Sequence, residues 1–145
     1  MKSIYVASSW RNNYQPQVVQ YLRACDFTVY DFKNPRPGDN GFHWSEIDPA
    51  WKDWSVAKFR GALAHPIAEA GFASDMNALK DAWATVLVLP CGRSAHLELG
   101  YAAGARQVTA IYAPEPTEPE LMYKMCDLVT ADLSEIAAYL KKKAA

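Results

Sequence analysis

The chain has 145 residues, half of them apolar and a fifth charged, which suits one globular domain with a core that needs no staples. A formal net charge of −1 argues against a nucleic-acid polymer as partner, because such footprints are strongly basic. Cys25, Cys91 and Cys126 are too few and too scattered for a disulfide framework or a metal cluster, and no run approaches the ~20 apolar residues of a membrane span. No cofactor, no metal and no membrane partner are therefore expected. With no signal segment at the start, a reducing cytoplasm is the expected compartment.

Residues 3–8 read as a first strand, with Ile4 and Val6 alternating with Tyr5 and Ala7. A polar loop follows, Ser8-Ser9-Trp10-Arg11-Asn12-Asn13, open either to a ligand or to helix capping. Asn13 as cap, Pro16 in the first turn and the stripe Val18, Val19, Leu22 predict a helix. Residues 27–30 form the next strand, and a strand, helix and strand this close together make a right-handed parallel unit. From 31 to 54 periodicity fails, yet the segment is rich in aromatics: Phe32, Phe42, His43, Trp44, Trp51 and Trp54. Such faces can stack on a nucleobase at roughly 1–3 kcal/mol per base, anchor a second subunit, or simply pin the loop down. Phe42, His43 and Trp44 are the best base-side candidates.

Residues 55–64 carry Val56, Phe59, Ala62 and Leu63 at helical spacing. A further helix over 67–83 is expected to break or bend at Gly71, with Phe72, Met76 and Leu79 as its buried stripe and Asp75 beside it. Val86 to Leu89 is an unbroken aliphatic run suited to a strand buried on both faces. Pro90 and Gly92 stop it, and Ser94 is the expected N-cap of the next helix. Leu97, Tyr101 and Ala105 would pack that helix on the sheet, leaving Glu98 to face the mouth above the strand end, where open α/β sheets bind ligands. Gly104 ends the helix, 107–112 is a fourth strand, and the proline-rich 113–119 is a loop. A short helix over 120–126, a small strand at 128–129 and a last helix over 133–142, capped by Asp132 with Glu135, complete the chain. Five strands alternating with helices predict a doubly wound α/β layer, a five-stranded parallel sheet with helices on both faces.

The segment Gly92-Arg93-Ser94-Ala95-His96-Leu97-Glu98-Leu99-Gly100-Tyr101-Ala102 resembles the Glu-Leu-Gly-Tyr-Ala signature of the nucleoside 2-deoxyribosyltransferase family, which includes related nucleotide N-glycosidases. Ile4-Tyr5-Val6-Ala7 and Asp75 extend the likeness over residues 3–111. The resemblance implies a flavodoxin-like fold over 1–145 and Glu98 as a nucleophile that attacks the anomeric carbon of a (deoxy)nucleoside. It implies Asp75 as the acid that orients Glu98 or handles the proton, and Tyr5 as a hydrogen-bonding neighbour. Read from their own surroundings, Asp75 suits a solvent-facing or capping group and Tyr5 suits a core strand equally well. Retaining glycosidases set two carboxyls ~5–5.5 Å apart.

Ser8, Ser9, Trp10 and Arg11 would contact the substrate, with Phe32, Phe42 and Trp44 on its base. Gly92, Arg93 and Ser94 would contact it too; Arg11, Arg93 and Ser94 could instead hold a 5′-phosphate at a helix N-terminus, while Arg93 reads equally as a surface arginine. Three departures separate the chain from the family's transferases. Gly92 stands where they carry an Asp, Trp83 stands near another lost Asp, and no matching Asn occurs over 121–125. The expected function is thus a deoxyribosyltransferase-like enzyme, with a nucleoside 5′-monophosphate N-glycosidase and a non-catalytic nucleotide-binding module as alternatives. The resemblance and the aromatic loop together imply a homo-oligomer, a dimer or higher.

Overall fold

Five short segments rich in β-branched and aliphatic residues pair side by side in the computed structural model, which describes residues 2–145. By internal packing the chain forms two compact units, one holding everything up to Asp31 together with Leu79–Ala145, the other Phe32–Ala78.

The first unit contains the whole sheet: β1 (Ser3–Ala7), β2 (Thr28–Asp31), β3 (Ala84–Val88), β4 (Val108–Tyr112) and β5 (Leu128–Thr130). All neighbours are parallel and the order is β2-β1-β3-β4-β5, so the α/β expectation holds in the flavodoxin-type arrangement. Side chains alternate between the faces. Ile4, Val6, Val29, Ala84, Val86, Val88 and Ala110 meet Val18, Val19 and Leu22 of α1 (Gln15–Ala24) and Ile136 and Leu140 of α5 (Leu133–Ala144) in one buried cluster. Tyr5, Ala7, Thr85, Leu87 and Ile111 fall on the other face, where α4 (Arg93–Gly104) packs on β1, β3 and β4.

Several local expectations are corrected. The helix α4 rests on the sheet through Ala95, Leu99 and Ala102, whereas Leu97 is 76 % exposed and Tyr101 40 % exposed. Small side chains at spacings of four and three let the helix approach a fully covered sheet closely, so the bulkier stripe turns to water. Its N-cap is Gly92, with no side-chain cap, so Ser94 lies inside the helix. At α1 the capping side chain is Asn12 and not Asn13, with Asn12 Oδ1 accepting from Tyr14 N at 2.7 Å and Gln15 N at 2.8 Å. Asp132 caps α5 through Ser134.

In the second unit, α2 (Val56–Ala62) is capped by Ser55 and α3 (Pro66–Asp81) starts after it. The aromatic segment expected as a loop contains two short 3-10 turns, Trp44–Glu46 and Trp51–Asp53. Trp44 meets Phe42, Trp54 and Phe59 edge to face, with centroids 4.7, 5.7 and 5.9 Å away. Such pairs contribute beyond their buried area, about 0.5–1.5 kcal/mol each. The helix α3 runs unbroken through Gly71, contrary to the expected bend, and Phe72 is exposed, not buried. Gly71 is there for space: a Cβ built on it would stand 2.9 Å from Phe42 Cβ.

This contact yields a paired prediction. Gly71→Ala is expected to destabilise the protein by about 1–3 kcal/mol through overpacking against a backbone-proximal atom. Gly61→Ala, in α2 with nothing within 4 Å of the new methyl, is expected to stabilise by about 0.5–1 kcal/mol through helix propensity. Urea denaturation of both variants measures the two signs.

Candidate active site

The strand order reverses between β1 and β3, and open α/β sheets bind ligands at the carboxyl ends of strands flanking such a reversal. Two buried side chains tie these ends together. Ser8 Oγ donates to Val88 O at 2.8 Å, and Asn12 Nδ2 donates to Val88 O at 3.2 Å and to Pro90 O at 2.9 Å. With its two acceptor bonds to Tyr14 N and Gln15 N, Asn12 therefore joins the loop after β1 to the loop after β3. Sequence reading passes over Asn12. The signal was present, an Asn ahead of a proline-started helix, but its neighbour Asn13 fits the same description.

On the α4 side of the sheet, the side chain of Tyr5 is fully buried and its hydroxyl donates to Glu98 Oε2. Glu98 itself is half-buried, on the inward-turned flank of α4 beside Leu99. The ring of Tyr5 stacks on Tyr30, its register partner on β2, with centroids 5.3 Å apart and planes 15° from parallel. The two residues that sequence places apart, Tyr5 and Glu98, are thus brought together.

Cys91 follows the end of β3, and burial, then the charge of Glu98, push its thiol up from 9.0 to about 12. His96 Nδ1 lies 2.8 Å from Gly92 O, which can only accept, so the neutral ring carries its hydrogen there. Its Nε2 then accepts from the Tyr123 hydroxyl at 2.9 Å, and Cys91 Sγ is 3.7 Å from Nδ1. Burial also raises the Tyr123 phenol above its ordinary value. His96 is accordingly a tie between α4 and the 3-10 turn Leu121–Met125, not a base for the thiol.

Of the other predicted contact residues in this unit, Ser9 is half-buried, while Trp10, Arg11, Gly92, Arg93 and Ser94 are exposed. In the second unit Phe32, Phe42 and Trp44 are half-buried and His43 is exposed. Asp75 is half-buried and lines, with Phe42, Arg36, Glu46 and Ser74 among others, a hollow of about 270 Å3. Arg36 is held there by Asp39 at 3.2 Å and Ser74 at 3.1 Å. Among the described residues no group of three or more His, Cys, Asp or Glu is placed to hold a metal ion, and no helix is long and apolar enough to cross a membrane.

Two predictions follow from the β1–β3 tie and from Cys91. Asn12→Ala strands buried carbonyls and amides and is expected to cost about 3 kcal/mol in urea denaturation. Asn12→Asp keeps the acceptor but sets a carboxylate oxygen against two carbonyls, and is expected to be no milder. Because the raised pKa keeps Cys91 protonated far above neutrality, iodoacetamide at pH 8 is expected to label it roughly 10-fold or more slowly in the native than in the unfolded protein, as read by peptide mass spectrometry.

No family model matches the sequence, and no curated protein matches it. Solved structures do. A 2-deoxyribosyltransferase from the psychrotolerant bacterium Bacillus psychrosaccharolyticus superposes with a TM-score of 0.65 at 19% identity, over 94% of this chain and 91% of that one. The CMP N-glycosidase BcmB of Clostridium botulinum superposes with a TM-score of 0.51 at 12% identity, over 97% and 99%. At these identities the likeness establishes the fold: this chain has the α/β architecture of both proteins across almost its whole length.

Proposed function

We propose that this protein cleaves the N-glycosidic bond of a nucleoside or deoxynucleoside and passes the sugar to a second base. The observation that carries the reading is the bond from the buried Tyr5 hydroxyl to Glu98, beside the strand reversal. In the proposed reaction Glu98 attacks C1′, a C–O ester bond forms as the C1′–N bond breaks, and the departing base takes a proton from the partner acid, which regains one from the incoming base. An incoming base then displaces Glu98 and restores the carboxylate, so the anomeric configuration is retained over two inversions. Tyr5 holds the carboxylate in one orientation. Asp75 serves as the partner acid, a role supported by its match to the family pattern. Phe42, which lines the same hollow as Asp75, offers a face for the base, with Phe32 and Trp44 nearby in sequence and unit. Ser8 shapes the loop on which Ser9, Trp10 and Arg11 reach the substrate. The fold shared with a 2-deoxyribosyltransferase supports this choice of reaction.

A second reading, hydrolysis of a nucleoside 5′-monophosphate, is favoured by one feature. Helix α4 begins at Gly92, without a side-chain cap, and Arg93 and Ser94 are exposed on its first turn, a setting that suits an anion. Gly92 also removes the carboxylate that would repel a phosphate, and the fold is shared with a CMP N-glycosidase. In that case water takes the place of the incoming base. Either reaction suits a reducing cytoplasm, since all three cysteines are free. A homo-oligomer belongs to the same proposal, on the strength of the family resemblance and the aromatic-rich segment.

Incubation with deoxynucleosides and deoxynucleotides, with and without an acceptor base, tests the reading. Base exchange between a deoxynucleoside and the acceptor is expected, and free base from monophosphates alone would favour the second reading. Glu98→Ala is expected to abolish turnover, while Asp75→Asn and Tyr5→Phe are expected to lower it by about 10²–10⁴-fold. A Glu98→Ala enzyme as active as its parent would remove the nucleophile and the proposal with it.

A further inference from the structure

Tyr5 is constrained at both ends: its ring is fully buried, and its hydroxyl donates to one particular carboxylate oxygen. The backbone alone does not set where that hydroxyl points, because a tyrosine ring on a strand can tilt about both of its side-chain torsions. One limit on the tilt is the neighbour in the same row. Tyr5 pairs with Tyr30 on one side and Thr85 on the other. Thr85 Oγ1 is engaged with Gln107 Oε1 at 2.7 Å and presents only a small methyl. Tyr30 presents a whole ring, stacked on Tyr5 at 5.3 Å and 15°. We infer that Tyr30, to which neither the sequence nor the comparisons assign a role, is a positioning residue that fixes the plane of Tyr5 and so aims its hydroxyl at Glu98.

The inference rests on the reading of Glu98 as nucleophile only for its effect on turnover; the geometric effect stands by itself. The stacked flat face is what Tyr30→Phe keeps, so that variant should preserve the arrangement. Tyr30→Leu fills part of the space without a flat face and should not. A positioned group shifted by about 1 Å can lose up to about 10²-fold in rate, so a drop of about 10–10²-fold in kcat with KM little changed is expected for Tyr30→Leu. Since the effect passes through the Tyr5 hydroxyl, Tyr30→Leu added to Tyr5→Phe should lower kcat no further.

The test pairs this kinetic cycle with a measurement independent of activity. The proton of a buried phenol held against a carboxylate exchanges slowly, and proton NMR of the parent should show a downfield hydroxyl resonance that Tyr5→Phe removes, which assigns it. The resonance should persist in Tyr30→Phe and shift or broaden away in Tyr30→Leu, with Tyr30→Met as the substitute if Tyr30→Leu does not fold. A resonance and a kcat unchanged by loss of the ring would overturn the inference while leaving the proposed reaction intact. A parent without base-exchange or base-release activity would overturn that reaction, and the NMR arm would still decide the role of Tyr30. If no variant moves the resonance except Tyr5→Phe, the aim of Tyr5 is set by other contacts and the inference fails.

Discussion

A parallel sheet covered on both faces leaves backbone carbonyls at its strand ends in need of donors, and at the end of β3 one side chain answers much of that demand. Asn12 uses both halves of its amide: the nitrogen closes Val88 O and Pro90 O, and the oxygen closes the first amides of α1. Ser8 adds the remaining bond to Val88 O. The loops leaving β1 and β3 are thereby joined at the strand reversal, and α4, which carries Glu98, starts from the second of them. The start of α4, and through it Glu98, inherits its position from this junction.

The pairing of Tyr5 with Glu98 follows from the same economy of polar groups. A tyrosine ring contributes a large buried apolar area, but its hydroxyl needs a partner once water is excluded. A half-buried carboxylate likewise needs a donor, and a charged acceptor makes the stronger bond. Each group removes the other's penalty. Replacing either therefore removes a charge-assisted bond from a covered region, so the pair is coupled in stability as well as in position.

Much of the fold is legible from the chain because the parallel strands read as aliphatic runs and the helices start with recognisable caps or prolines. The errors share one physical origin. Period and bulk point to Leu97 and Tyr101 as the packing stripe of α4, but a helix lying on a flat covered sheet favours the small side chains Ala95 and Ala102, a preference that only the sheet imposes. Gly71 reads as a break, although its purpose is clearance for Phe42, nearly thirty positions away in the chain. At the site, Glu98 and Tyr5 are legible as a motif. Tyr30 and Asn12 are not, because their importance lies in register and in hydrogen bonds between distant loops.

The surroundings of Cys91 bear on which group could act as nucleophile. A cysteine after a strand end, 3.7 Å from a histidine nitrogen, has the outline of a thiol–imidazole pair. That outline fails on the proton count. The nearer nitrogen donates to Gly92 O, the farther one accepts from Tyr123, and neither is left to take the thiol's proton. Burial and the neighbouring Glu98 charge both oppose a second anion, holding the thiol neutral up to about 12. A neutral thiol is a poor nucleophile, whereas a carboxylate that accepts from a buried phenol is held in one orientation. The two groups are thus alternatives at one location, and the charge on Glu98 is part of what keeps Cys91 silent.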